Sequence, residues 1–294
     1  MLGPLDPLRS GPQLRAWRTG RWLTARDLTG PLVIFVHGFT ATSVSISELA
    51  SHVDAVYQVA VYDYVSHEGI DKAADDLAHR LERLAGRLDP TGFALIGHSM
   101  GGLVAKYFAR HAPQLVREPL KGLATLGTPH GGTLRTGIAT VKRRLLTLML
   151  DLGERHDEPN PYLRSLISPA AKQLIGSDAH ALLDRLLQAD RLDPLPIPVL
   201  TVSGGLNYLE LFQPGTPWNA AANRILQSCL AMPNDGLVEE SSASLASCVP
   251  GAPPSIRHRN DYVAWSRTNH THLPTNQDVG ELVLEWLADE VFTG

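Results

Sequence analysis

Gly97, His98, Ser99, Met100 and Gly101 sit where an apolar run gives way to a helix-like pattern, within FALIGHSMGGLVAKYFARH (93–111). A serine between two glycines at a strand-to-helix junction exposes its hydroxyl on a sharp, strained turn. Side chains at Gly97 or Gly101 would collide with the neighbouring strand or helix. A serine hydroxyl is a weak nucleophile, so it needs a base to take its proton and an acid to orient that base. For a serine on this kind of turn, the acid follows in the chain and the histidine comes last.

MPNDGLVEESSA (232–243) supplies the acid as Asp235, in an Asn-Asp-Gly turn that plain turn chemistry would also explain. Glu239 and Glu240 are the fallback acids. SRTNHTHLPTNQDVGELVLEW (266–286) offers two bases, His270 and His272, just ahead of a final helical pattern. His258 would need a different loop path to serve. The chemistry also needs two backbone N–H groups around the developing oxyanion. Met100, directly after the nucleophile, supplies one. Phe39 in FVHGFTAT (35–42) supplies the other, with Gly38 expected to let the chain turn sharply. His37 reads as a brace for that loop rather than a base, and His98 as a neighbour of the nucleophile.

These residues need a scaffold that brings distant loops to one edge. PLVIFVHG (31–38), AVYQVAVYDY (55–64), FALIG (93–97), LKGLATLG (120–127) and PIPVLTVSG (196–204) read as strands, the first a short, β-branched buried run and the set near-continuously apolar. SIRHRNDYVAW (255–265) offers a last strand. Helical patterns alternate with the strands at 46–53, 69–88, 102–111 and 279–292. In the second, Ile70, Ala73, Leu77, Leu81, Leu84 and Leu88 share one face. This alternation predicts an α/β fold: a doubly wound, mostly parallel sheet covered on both faces. Residues 1–30 read as a loosely structured lead-in and 31–294 as one domain. A helical cap or lid insertion occupies about 133–193.

The bulk composition narrows the function classes. Of 294 residues, 44% are hydrophobic and 19% charged, the balance of a globular chain with a substantial core. A net charge of −4 offers no basic footprint for nucleic acid. No apolar run reaches the length of a membrane-spanning helix. The start, MLGPLDPLRSGPQLRAW, lacks a signal peptide's basic and apolar regions, so a cytoplasmic location is expected. Cys229 and Cys248 fit two inert thiols, or a disulfide that would argue for export. Nothing in the sequence sets an oligomeric state.

Four segments together resemble the bacterial lipase and esterase branch of the α/β-hydrolase superfamily: VHGF (36–39), LIGHSMGGLVAKYF (95–108), LATLGTPHGGT (123–133) and NDGLVEESSA (234–243). The Gly-Thr-Pro-His-Gly-Gly turn narrows the resemblance to the lipase-like branch. HTHLPTNQDV (270–279) resembles the family's His-x-x-Leu segment, which favours His270 over His272. The resemblance implies a serine carboxylester hydrolase, a lipase or esterase acting through an acyl-enzyme on a small-molecule or lipid ester, with no organic cofactor. Larger secreted relatives hold calcium partly through an aspartate two residues after the catalytic histidine. His272 occupies that position here, so no such metal site is expected.

Two alternatives stay open. A thioesterase or an acyltransferase would use the same triad, whereas a non-catalytic binding member of the fold would usually lack one of its residues. KRRLLTLMLDLGERH (142–156) reads either as a core-packed cap helix or as a mobile lid making transient contact with a lipid interface. Lys142, Arg143 and Arg144 there fit a solvated face or attraction to an anionic surface.

Overall fold

A computed structural model describes residues 11–24, 28, 30–84, 86, 88, 91–132, 169–175, 177–209, 220–221, 223–224, 227, 230, 233–249, 251, 255–259 and 268–293. Seven strands form one sheet: β1 (Gln13–Ala16), β2 (Leu32–Val36), β3 (Gln58–Asp63), β4 (Phe93–His98), β5 (Leu120–Leu126), β6 (Val199–Val202) and β7 (Ile256–Arg259). Their spatial order is β1-β3-β2-β4-β5-β6-β7. Every pairing is parallel except that of β1 with β3.

The unbroken apolar runs are explained by burial on both faces. Leu32, Ile34 and Val36 of β2 point into one core, with Val33 and Phe35 pointing into the other. Helices α1 (Ser47–Val53), α2 (Ile70–Glu82) and α3 (Met100–His111) follow β2, β3 and β4. The first core takes Ile70, Ala73, Leu77 and Leu81 of α2 with Leu103, Val104 and Phe108 of α3. The second takes Leu49 and Val53 of α1, with Val279, Val283 and Trp286 from the C-terminal helix. The predicted face of α2 is therefore the buried one, although the helix stops at Glu82 and leaves Leu84 and Leu88 partly buried beyond it.

The sheet begins earlier than the lead-in reading allowed. β1 lies within 1–30, and all four of its residues, including Gln13 and Arg15, are buried. Arg15 pairs with Asp63 of β3 and donates to Ser43 Oγ at 3.2 Å. A buried strand carrying glutamine and arginine has no apolar run to reveal it.

Of the stretch 133–193, the described residues form two helices, α4 (Pro169–Ile175) and α5 (Ser177–Leu192). Leu182, Leu183, Leu186 and Leu187 of α5 pack into the first core. Asp190 of α5, 1% exposed, meets Lys106 of α3, which is fully buried. Lys106 Nζ and Asp190 Oδ2 lie 2.5 Å apart as an ion pair. Arg110 donates to the same carboxylate at 2.7 Å. The 142–156 segment and Cys229 lie outside the described residues. Helix α6 (Gln277–Trp286) runs into a π turn (Leu287–Val291). Among the described residues, no helix is long and apolar enough to cross a membrane.

Candidate active site

Ser99 follows β4 directly and caps α3, with φ 55° and ψ −124°, a conformation that L-residues rarely adopt. Two glycines permit it. A Cβ on Gly97 would lie 2.4 Å from the Gly101 carbonyl, and one on Gly101 would lie 2.2 Å from the Val36 oxygen. The turn is pinned by Ser99 N–H donating to the Leu126 carbonyl at 2.8 Å and by Thr128 Oγ1 donating to the Ser99 carbonyl at 3.0 Å. Met100 opens α3, where an N–H has no partner within the helix and the helix dipole is positive.

Asp235 and His270 meet beyond the ends of β5 and β6. Their contact, Nδ1 to Oδ2, is 2.8 Å long, and both side chains are about 95% or more buried. Asp235 Oδ1 accepts from the backbone N–H of Leu237 at 3.0 Å and of Val238 at 2.7 Å. The Asn-Asp-Gly turn is thus both local turn chemistry and a cradle that aims the second oxygen at His270. An ionised carboxylate only accepts, so Nδ1 carries the ring proton and Nε2 keeps its lone pair. The His270 N–H also donates to the Asp235 carbonyl at 2.9 Å, joining the two loops through their backbones.

His98 links this pair to the nucleophile's strand. Its Nε2–H donates to the His270 carbonyl at 2.8 Å, and the two rings lie 4.9 Å apart. Its Nδ1 is buried with no hydrogen-bond partner among the described residues. Burial foremost, then the neighbouring His270, holds its pKa down at about 3, so the ring stays neutral.

Among the described residues, His272 and Glu240 make no hydrogen bond to the pair. His272 is exposed at the start of a 3-10 turn (Leu273–Thr275). Glu239 forms a backbone bridge with Asn234, and Glu240 opens a four-residue helix (Glu240–Ala243). The side chain of His258 on β7 lies outside the described residues. Phe39 lies in the turn after β2, next to Gly38, whose added Cβ would stand 3.1 Å from Ser99 Cβ. The left-handed residue of this turn is Thr40, at φ 56°, not Gly38. What Gly38 supplies is room beside the nucleophile.

A family model for the α/β-hydrolase fold matches residues 31–209, more than half of the chain. The chain belongs to the α/β-hydrolase fold family. It is also 33% identical, over 111 residues, to triacylglycerol lipases of Pseudarthrobacter phenanthrenivorans and Burkholderia plantarii. Each stretch is 34% of this chain and spans only about a third of the relative's length, 34% and 30% respectively. Among solved structures, the mature Bacillus licheniformis lipase BlEst2 has a TM-score of 0.53 at 18% identity, over 88% of this chain and 93% of that one. A Pseudomonas aeruginosa hydrolase has a TM-score of 0.53 at 17% identity, over 94% and 93%. These likenesses are likenesses of fold.

In this α/β hydrolase the Gly-Thr-Pro-His-Gly-Gly turn has a structural use that its sequence did not disclose. His130 N–H donates to the Ser242 carbonyl at 2.9 Å and Gly131 N–H to Ser242 Oγ at 3.1 Å. Ser242 Oγ then donates to the Gly132 carbonyl at 2.7 Å. The turn therefore clasps the short helix that follows Asp235, while Thr128 at its start holds Ser99. Two of the four recognised segments are one interlocked unit. The only sequence signal for Ser242 is its place in NDGLVEESSA.

Proposed function

We propose that this chain is a serine carboxylester hydrolase of the lipase or esterase type. Ser99 Oγ attacks the ester carbonyl while His270 Nε2 takes its proton. The N–H groups of Phe39 and Met100 receive the oxyanion. The imidazolium formed at His270 is stabilised by Asp235 and returns its proton to the departing alcohol oxygen, leaving an acyl-enzyme. Water, deprotonated by His270, then attacks the acyl carbon, releases the acid and restores Ser99.

The buried contact of His270 with Asp235 carries this reading, because it selects the tautomer whose free nitrogen can act as the base. The strained Ser99 turn and the triacylglycerol lipase names of the two partial relatives support an acyl ester as substrate. A fluorophosphonate probe tests it: one equivalent is expected on the wild-type protein and none on Ser99→Ala, with ester hydrolysis lost in parallel. Full ester hydrolysis by Ser99→Ala would sink the proposal.

A further inference from the structure

One buried side chain beside the site has both of its ring nitrogens accounted for. His37 follows β2 and is fully buried. Its Nε2 receives the backbone N–H of Tyr64 at 3.2 Å, so that nitrogen must present a lone pair. Nδ1 therefore carries the hydrogen and donates it to the carbonyl of Gly38 at 2.8 Å. The Tyr64 ring stacks on the imidazole at 4.3 Å and 14°, and its hydroxyl donates to the His37 carbonyl at 2.8 Å. Nearby Asp63 is engaged elsewhere. Its carboxylate pairs with Arg15 and accepts from Ser43 N–H at 2.7 Å and Ser43 Oγ at 2.9 Å, remaining 4.0 Å from Nε2. With one nitrogen donating to Gly38 and the other capped by Tyr64, His37 has no lone pair for a general base. Burial foremost holds its pKa down and keeps the ring neutral.

The carbonyl of Gly38 and the N–H of Phe39 are two ends of one planar peptide, and in the usual trans form they point in opposite directions. Holding the oxygen therefore aims the hydrogen. We propose that His37 is a positioning residue for the oxyanion hole: its Nδ1–H anchors the Gly38 carbonyl and so directs the Phe39 N–H toward the acyl oxygen on Ser99. The inference rests on the serine hydrolase reading above. In the next peptide of the same loop, Thr40 N–H donates to Ser66 Oγ at 2.9 Å, which fixes the chain just beyond Phe39. A Cβ added at Gly38 would stand 3.1 Å from Ser99 Cβ, which puts this peptide beside the reacting centre.

Two isosteric variants separate the two ring nitrogens. His37→Asn keeps a donor near the Nδ1 position, whereas His37→Gln keeps a polar group only near the Nε2 position. The readouts are kcat/KM on p-nitrophenyl butyrate, the affinity of butylboronic acid, and the affinity of an unreactive ether analogue of the ester. The boronic acid forms a tetrahedral adduct on serine and places an oxygen in the hole. The ether never develops an oxyanion. His37→Gln should lose about 10²-fold in both kcat/KM and boronate affinity, the size expected when one oxyanion donor is misdirected. Its ether affinity should stay within twofold, and His37→Asn should recover most of the loss. Equal losses in Asn and Gln, or a fall in kcat/KM with boronate affinity intact, would overturn the proposal. Should the variants fold poorly, nitrogen-15 NMR of the wild-type imidazole decides: Nδ1–H supports the assignment and Nε2–H refutes it. A wild-type protein that forms no boronate adduct at Ser99 would reject the hydrolase reading itself.

Discussion

Replacing Asp235 by asparagine changes one atom in a site whose hydrogen bonds leave it little freedom. Oδ1 accepts two backbone N–H groups, at 3.0 and 2.7 Å, and those donors require an oxygen there. The new amide nitrogen is thus forced into the place of Oδ2, facing Nδ1 of His270 at about 2.8 Å. Donor would then meet donor. The imidazole escapes by moving its proton to Nε2, the nitrogen that must receive the hydrogen of Ser99. The expected loss in kcat is about 10⁴-fold, the size seen when a triad histidine is held in the wrong tautomer. That is about 5 kcal/mol of barrier. Stability should fall by much less, about 1 kcal/mol, because a neutral hydrogen bond replaces a charge-assisted one and the turn keeps its oxygen. Initial rates on p-nitrophenyl butyrate, with urea unfolding of the same samples, measure both quantities. Asp235→Asn within tenfold of wild-type kcat, with Glu239→Gln or Glu240→Gln inactive instead, would refute the assignment of the acid.

Gly127→Ala should impair the site from the side. Gly127 has φ +57°, and an added Cβ would stand 2.8 Å from Leu273 Cδ1 and 3.0 Å from both Asp235 Oδ2 and His270 Nδ1. A displacement approaching 1 Å predicts about a 10²-fold loss in kcat, measured in the same ester assay. The buried Lys106–Asp190–Arg110 cluster predicts an order of stabilities in urea unfolding. Asp190→Ala strands two buried cations and should cost about 3–5 kcal/mol, whereas Lys106→Met leaves Asp190 paired with Arg110 and should cost less. Finally, His98 is neutral in the folded protein down to about pH 3, against an ordinary value of 6.5. As pH falls below 6.5 the unfolded chain takes up this proton first, so the stability present above 6.5 is lost toward pH 3. The contribution is about 1.4 kcal/mol per pH unit. His98→Gln keeps a donor for the His270 carbonyl, and its unfolding free energy between pH 6 and 4 should slope less steeply by about that amount.

Much of the scaffold was legible because a sheet buried on both faces writes its strands as uninterrupted apolar runs. LVIFV in β2 and FALI at the start of β4 are of this kind. β1 escaped the same rule because its buried residues include two polar ones, Gln13 and Arg15, the second held by an ion pair with Asp63. At the site, Ser99 was legible from the glycines that its strained turn demands. Asp235 and His270 were legible from chain order, because the sheet topology brings the loops after β6 and β7 together. Sequence position offered both His270 and His272. The short connection into α6 buries the first against Asp235 and leaves the second exposed. What Gly38 supplies beyond the turn was not legible, since spacing marks a glycine without saying whether it provides a left-handed angle or empty space. The clasp between His130 and Ser242 joins positions 112 residues apart, and no local pattern reveals such a contact.

The central claim is that Ser99 carries the acyl group between two half-reactions. The direct test is acid-quenched intact-mass analysis of the protein caught turning over p-nitrophenyl butyrate, followed by peptide mapping. The account predicts a mass increase of one butyryl group, confined to the peptide containing Ser99 and absent from Ser99→Ala. Hydrolysis that proceeds at full rate with no acylated peptide, or with the acyl group on another residue, would contradict it.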